Sequence, residues 1–317
     1  MDKPAVLVIV GPTASGKSAL AIKLAKKFKG EIISADSRQV YKGMDIGSGK
    51  VTKKEMAGIP HHLLDVADPK RQFSVSRFQK LARVKIKEIL RRDKLPIICG
   101  GTGFYIQSIV DDLVLPKVPP DKKLRKELAK KTTDELFAIL KKLNPERAKN
   151  IDAKNPRRLV RAIEIIKAGG SFGLSFPDAD RDKAKLPPAK FIQIGINPPP
   201  EVLKQNIHLR LFARIRAGMI NEVKKLHKNG VSWKRLESFG LEYKYIALFL
   251  QKKITKPEML AGIERDSWLY AKRQMTWFKR DQRIAWLKAD DEIGSKPKWQ
   301  RLWLRVSPTS HSRSKSL

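Results

Sequence analysis

The chain has 317 residues, with 67 Lys and Arg against 32 Asp and Glu and a formal charge of +35. That excess exceeds what solubility needs and points to a polyanionic partner, although a generally basic proteome or an unusual solvent would also produce it. The single cysteine, Cys99, sits in an apolar run and leaves no room for a disulfide framework or a Cys-based zinc site. No apolar run approaches transmembrane length, and the N-terminus enters its first strand without a signal-peptide pattern. A soluble cytoplasmic protein with no membrane partner is expected.

The run Ala5-Val6-Leu7-Val8-Ile9-Val10 is patterned as a buried strand. Directly after it, Gly11-Pro12-Thr13-Ala14-Ser15-Gly16-Lys17-Ser18 matches G-x-x-x-x-G-K-[ST]. The next segment places Leu20, Ala21, Leu24, Ala25 and Phe28 on one helical face. In such a strand–loop–helix setting the backbone N–H groups converge on phosphate oxygens and Lys17 adds a point charge. Gly11, Thr13, Ala14, Ser15, Gly16, Lys17 and Ser18 are therefore the candidate pyrophosphate-binding residues, with the Ser18 hydroxyl offered to a Mg²⁺.

A strand at Glu31–Ser34 ends in Ala35-Asp36-Ser37-Arg38-Gln39-Val40-Tyr41. A mixed loop, a helix from about Val75 to Arg92 and a strand at Leu95–Cys99 follow, and the strand runs into Gly100-Gly101-Thr102-Gly103. This alternation predicts an α/β fold, a P-loop-type parallel sheet flanked by helices, with ligands beyond the C-terminal strand ends. Asp36 at such an end suits a general base, a Mg²⁺ ligand or a plain cap. The glycines around Thr102 suit close approach to a ligand, or a simple turn.

From Pro116 the texture changes to a Lys-rich helical region, then a Gly- and Pro-containing linker, and a strand at Phe191–Ile196. Beyond Pro200 the chain is almost wholly helical to about Asp281, with a short strand at Ile284–Leu287 and a Ser-, Arg- and Lys-rich tail. The expected organisation is a core at 1–115, a helical insertion domain at 116–187, a helix-rich C-terminal part at 188–292 and a disordered basic tail at 293–317. Arg157, Arg158 and Arg161 cluster on a helix whose other face is Leu159, Ala162, Ile163 and Ile166. A solvated face or contact with a phosphate backbone both account for them. Trp268, Ala271, Met275 and Phe278 form a second apolar stripe, flanked by Lys272, Arg273, Lys279, Arg280 and Arg283. All six tryptophans lie at or beyond Trp233, where some could stack on unpaired bases.

Taken together, the chain resembles the tRNA dimethylallyltransferase family. The motifs stand in order as Gly-Pro-Thr-Ala-Ser-Gly-Lys-Ser at 11–18, Ser-Ala-Asp-Ser-Arg-Gln-Val-Tyr at 34–41 and Gly-Gly-Thr-Gly-Phe-Tyr at 100–105. Pro60-His61-His62-Leu63-Leu64-Asp65, Asn-Pro-Arg-Arg-Leu-Val-Arg-Ala at 155–162 and Tyr-Ala-Lys-Arg-Gln-Met-Thr-Trp-Phe at 270–278 complete them. The resemblance implies transfer of a dimethylallyl group from dimethylallyl pyrophosphate to the exocyclic amine of the adenosine 3′ of the anticodon, with Mg²⁺ as cofactor. It implies Lys17 and Arg210 on the pyrophosphate, Asp36 as base and Thr102 near the reacting centre. The anticodon stem-loop would meet Asp36, Ser37, Arg38, Gln39 and Thr102, with Arg157, Arg158, Arg161, Lys272, Arg273 and Arg280 gripping it, and the protein would act as a monomer.

Two segments depart from the family pattern. Phe239-Gly240-Leu241-Glu242-Tyr243 stands where Ile-Gly-Tyr followed by Lys or Arg is usual, and Asn206-Ile207 replaces an Arg-Ile pair. Both are expected to bear on tRNA contact rather than on the chemistry. The rival readings are a P-loop kinase of a small metabolite, with the arginines at 157–161 as its lid, and a non-catalytic RNA-binding protein.

Overall fold

The structure is a computed structural model that describes residues 4–170 and 188–287; the linker beyond Gly170, the basic tail, Trp299 and Trp303 lie outside the described residues. The chain divides into two compact units, Met1–Asp112 with Ala184–Leu317 and Leu113–Lys183.

The first unit is built on six parallel strands: β1 (Ala5–Val10), β2 (Gly30–Ser34), β3 (His61–His62), β4 (Leu95–Gly100), β5 (Lys190–Ile196) and β6 (Ile284–Leu287), in the order β3-β2-β4-β1-β5-β6. The period-two alternation of β1 divides its side chains between two cores. Leu7 and Ile9 meet Leu20, Ala21, Leu24 and Ala25 of helix α1 (Lys17–Lys27) on one face. Val6, Val8 and Val10 face the larger core, with Phe78 and Ile86 of α3 (Val75–Leu90) and Ile106 of α4 (Gly103–Val110). The register pairs Val10 with both Gly100 and Gly195, and Ser34 with Cys99. The loops at 11–18, 35–41 and 101–103 therefore leave the sheet at one edge. The short helix α2 (Lys53–Met56) precedes β3. That two-residue strand, paired through Ile32↔His61 and Ile33↔His62, was not expected, because so short a pairing leaves no periodicity to read.

The second unit holds α5 (Lys122–Leu128), α6 (Thr133–Leu143), α7 (Pro145–Lys149) and α8 (Pro156–Lys167) around Leu128, Leu136, Leu140, Leu159, Ala162 and Ile163. Asn155 caps α8 by accepting the Arg158 N–H, with Pro156 opening the helix. Ile166, expected on the apolar face, is only half-buried, whereas Glu164 is buried. Glu164 accepts from Arg125, Arg161 and the Asp121 N–H.

Back in the first unit, five helices fill the stretch from β5 to β6: α9 (Pro200–Arg216), α10 (Met219–Lys228), α11 (Trp233–Phe239), α12 (Leu241–Leu250) and α13 (Lys256–Phe278). The buried face of α13 runs through Ile263, Ser267, Ala271, Gln274 and Phe278. Trp268 and Met275, expected in that stripe, are only half-buried, and Gln274 takes an interior position. Among the described residues no helix is long and apolar enough to cross a membrane.

Candidate active site

Between β1 and α1 the chain must turn into the helix, and two residues take the left-handed conformation to do so: Ala14 at φ 61° and Gly16, the cap of α1, at φ 84°. Gly16 suits that position because it has no Cβ to strain. The Ser15 hydroxyl is 9 % exposed as a residue and holds no partner. A buried donor without a protein partner in this loop suits an anion. Lys17 donates from Nζ to the Pro12 carbonyl at 3.0 Å. Desolvation presses its pKa down, as do the positive charges of Arg210 and Arg214, while Cys99 and Asp36 pull it up. Burial pushes the Cys99 thiol up to about 11, so it stays protonated.

Asp36 lies at the end of β2 and divides its carboxylate. Oδ1 accepts the N–H of Arg38 at 2.8 Å and of Gln39 at 3.3 Å, the capping use of an Asp, while Oδ2 has no protein partner among the described residues. The Ser37 N–H donates to Thr102 Oγ1 at 3.0 Å, and the Thr102 N–H to the Ala35 carbonyl at 3.2 Å, joining the loops after β2 and β4. Tyr270 of α13 lies beside Thr102, and burial, with Asp36 adding to it, raises its hydroxyl to about 12. Sequence reasoning did not single Tyr270 out, although it opens the motif at 270–278.

Gln274 was also missed. Its Oε1 accepts the Thr13 N–H at 2.8 Å and its Nε2 donates to the Gly101 carbonyl at 2.8 Å, so one buried amide clamps the P-loop to the loop after β4. The available signal was an uncharged polar residue at helical spacing from Ala271 and Phe278.

The structure assembles Lys17, Asp36, Ser37, Arg38, Gln39 and Thr102 at one sheet edge, with Arg210 from α9 within electrostatic reach of Lys17. Desolvation of its guanidinium, and Arg214 beside it, lower the pKa of Arg210 to about 10, although the residue as a whole is exposed. Gln39 is committed inside: it accepts from Ser34 Oγ at 3.0 Å and donates to the Gly49 carbonyl at 3.1 Å. Arg38 donates to the Phe239 carbonyl at 2.8 Å. Arg157, Arg158 and Arg161 belong to the second unit; Arg157 and Arg158 are exposed, whereas Arg161 is held by Glu164 and the Val118 carbonyl. On α13, Lys272 and Arg273 are exposed, as is Arg280 just beyond it.

Both departures from the family pattern turn inward instead of lining a nucleic-acid surface. Asn206 donates to the Ala14 carbonyl of the P-loop at 3.3 Å. Glu242 accepts from Arg214 at 2.9 Å, and buried Tyr243 donates to Glu222 at 2.9 Å. The reason is that α9 and α12 pack beside the sheet edge, so substitutions on their inner faces meet the pocket.

The Mg²⁺ expected at Ser18 has few protein donors to draw on. Among the described residues no group of three or more His, Cys, Asp and Glu is assembled for a metal. Ser18, with an anion in the loop and Asp36 nearby, still fits a hard cation that brings most of its ligands with it.

Fold and site together define an α/β protein in which the loop at 11–18, Asp36 and Thr102 meet at one edge of a parallel sheet. A family model described as IPP transferase matches residues 39–281, and the chain belongs to that family. It is 44 % identical over 281 residues to tRNA dimethylallyltransferase 2 of Treponema denticola, covering 88 % of this chain and 93 % of the relative. It is 42 % identical over 280 residues to the tRNA dimethylallyltransferase of Carboxydothermus hydrogenoformans, covering 87 % and 89 %. The full-length tRNA isopentenylpyrophosphate transferase of Bacillus halodurans superposes with a TM-score of 0.69 at 36 % identity over 96 % of both chains. A eukaryotic dimethylallyltransferase acting on tRNA superposes with a TM-score of 0.74 at 28 % identity, over 98 % of this chain and 82 % of that one.

Proposed function

We propose that the protein transfers a dimethylallyl group from dimethylallyl pyrophosphate to the exocyclic amine of the adenosine 3′ of the anticodon in tRNA, releasing pyrophosphate. The observation that carries this reading is the shared sheet edge. Lys17 and the partnerless Ser15 hydroxyl would cradle an anion there, beside the Asp36 carboxylate and Thr102.

As the allylic C–O bond breaks, negative charge grows on the departing pyrophosphate, and Lys17, Arg210 and the P-loop N–H groups stabilise it. The adenine nitrogen forms the new C–N bond, and its proton passes to Asp36 Oδ2, the oxygen not used in capping. Thr102 holds the Ser37 backbone and orients the base against that carboxylate. Ser18 would hold a Mg²⁺ at the P-loop, where such an ion would supply further charge neutralisation. An aromatic amine is a poor nucleophile, so positioning carries much of the rate. The adenine must leave the anticodon stack to reach this edge. Ser37 and Arg38 line the approach, while Arg157 and Arg158, and Lys272, Arg273 and Arg280, contact the RNA backbone.

The test is to incubate the protein with Mg²⁺ and an anticodon stem-loop RNA, adding labelled dimethylallyl pyrophosphate or labelled ATP in parallel. Label entering the RNA from the allylic donor alone supports the reading. No transfer from that donor, with ATP consumed when small nucleosides are added, overturns it in favour of a kinase.

A further inference from the structure

Helix α9 carries two arginines one turn apart on the face that looks toward the P-loop, Arg210 and Arg214. Both guanidinium groups rest against Gly49. A Cβ at that position would collide with Arg214 Nη2 and would stand 3.1 Å from Arg210 Nη2, and Gly49 itself is at φ +60°. The loop around Gly49 is fixed from below: Glu222 accepts the N–H groups of Asp45, Ile46 and Gly47 at 2.9, 2.6 and 3.0 Å, and the Tyr243 hydroxyl at 2.9 Å.

Arg214 Nη1 donates to Glu242 Oε1 at 2.9 Å and more weakly to the Gly47 carbonyl at 3.4 Å. Its Nη2 has no protein acceptor among the described residues, and neither has the Arg210 guanidinium. The side chains of Arg214 and Glu242 are only 17 % and 13 % exposed. Glu242 thus serves both guanidiniums, Glu55 also acts on Arg210 and Asp36 on Lys17, and the Lys17 ammonium feels the charge of both arginines. Desolvation and this mutual repulsion lower the pKa values of Arg210 and Lys17 together. Arg210 is exposed and Arg214 half-buried, and guanidinium donors left unspent on one side of such a pair are well placed to take a multivalent anion set against them.

We infer that Arg214, held in place by Glu242, is a second guanidinium on the pyrophosphate leaving group beside Arg210, with Glu242 its positioning residue. Glu242 occupies Nη1 and so turns Nη2 toward Arg210. Two forks side by side can each take separate oxygens of a diphosphate, which a single ammonium cannot do. The inference rests on the reading that the P-loop holds the pyrophosphate, and the controls below separate the two.

The experiment measures inhibition by inorganic pyrophosphate, with KM for the allylic donor and for the stem-loop RNA, in the intact chain. The variants are Arg214→Lys, Arg214→Met with Glu242→Gln, Arg214→Met alone, and Lys17→Ala, each checked by thermal melting. The double variant removes the guanidinium without stranding a buried carboxylate. It is expected to weaken pyrophosphate inhibition and donor binding by roughly tenfold, with KM for RNA within about twofold of the parent. Arg214→Lys, which keeps the charge and loses the fork, is expected to lose about threefold. If the double variant binds pyrophosphate like the parent while Arg214→Met alone does not, Arg214 merely neutralises Glu242 and the inference is overturned. If neither change matters while Lys17→Ala abolishes inhibition, the inference fails and the P-loop reading stands. If Lys17→Ala also leaves inhibition unchanged, both fail. Should the double variant not fold, Arg214→Lys decides: an unchanged inhibition constant overturns the inference and a threefold rise supports it.

Discussion

Replacing Gln274 with Ala removes a side chain that bridges the P-loop and the loop after β4. The amide is 6 % exposed and makes two hydrogen bonds of 2.8 Å, to the Thr13 N–H and the Gly101 carbonyl. Ala leaves both backbone groups in place without a partner. Each orphaned buried group costs about 1–3 kcal/mol, so Gln274→Ala should destabilise the protein by roughly 2–6 kcal/mol if no water replaces the amide. That is a large share of the ~5–15 kcal/mol typical of a folded domain. Thr13 lies within the P-loop, so turnover should fall on the order of a hundredfold through misplacement of that loop against Asp36 and Thr102. Urea unfolding monitored by circular dichroism gives the first number, and single-turnover prenyl transfer to the stem-loop RNA gives the second. A loss under about 0.5 kcal/mol with unchanged turnover would refute the reasoning, because buried orphans of this kind cannot be free of cost.

Lys17→Ala should raise the donor KM and lower kcat together, by roughly a hundredfold in kcat/KM, since its charge serves both bound and departing pyrophosphate; steady-state kinetics with the RNA saturating decides this. Arg158→Ala should weaken stem-loop binding and reduce the salt slope of log K by about one, leaving the donor KM unchanged, as read by fluorescence titration at several salt concentrations. Glu164 is held down to about 2, against the burial that raises it, by the guanidiniums of Arg125 and Arg161. Its folded pKa lies below the unfolded one, so its stabilisation is complete above about 4.5 and is lost as pH falls toward 2. Glu164→Gln should therefore cost about 3 kcal/mol at neutral pH and flatten the acid limb of the stability curve; melting from pH 7 to 3 checks both.

The P-loop was legible because its meaning is local: six apolar residues, a turn that tolerates positive φ, and a helix whose apolar face follows at once. The five longer strands and the shift to helix after Pro200 were legible for the same reason. The order of the strands was not, since pairing is settled by contacts far apart in sequence, and β3 is too short to leave any periodicity. Asp36, Thr102 and Lys17 were readable as strand-end residues. Gln274 and Tyr270 were not, because a polar residue on one face of a long helix looks the same from sequence whether it meets solvent or a backbone amide. The departures at Asn206 and Glu242 were visible as departures, but their destination depended on which way α9 and α12 face. Sequence cannot state that when a helix is charged on several sides. Arg161 illustrates the converse: three arginines look alike in the sequence, and only packing reveals that one is committed to buried Glu164.

The central claim is that Asp36 serves the chemistry rather than the fold or the grip on RNA. It is tested most directly by single-turnover prenyl transfer with Asp36→Ala, measured beside equilibrium binding of the same stem-loop RNA. The account predicts a fall in the transfer rate of at least about a hundredfold, with RNA affinity within a few-fold of the parent. A near-normal transfer rate would contradict it and leave the Asp36 carboxylate as nothing more than the cap of its own loop.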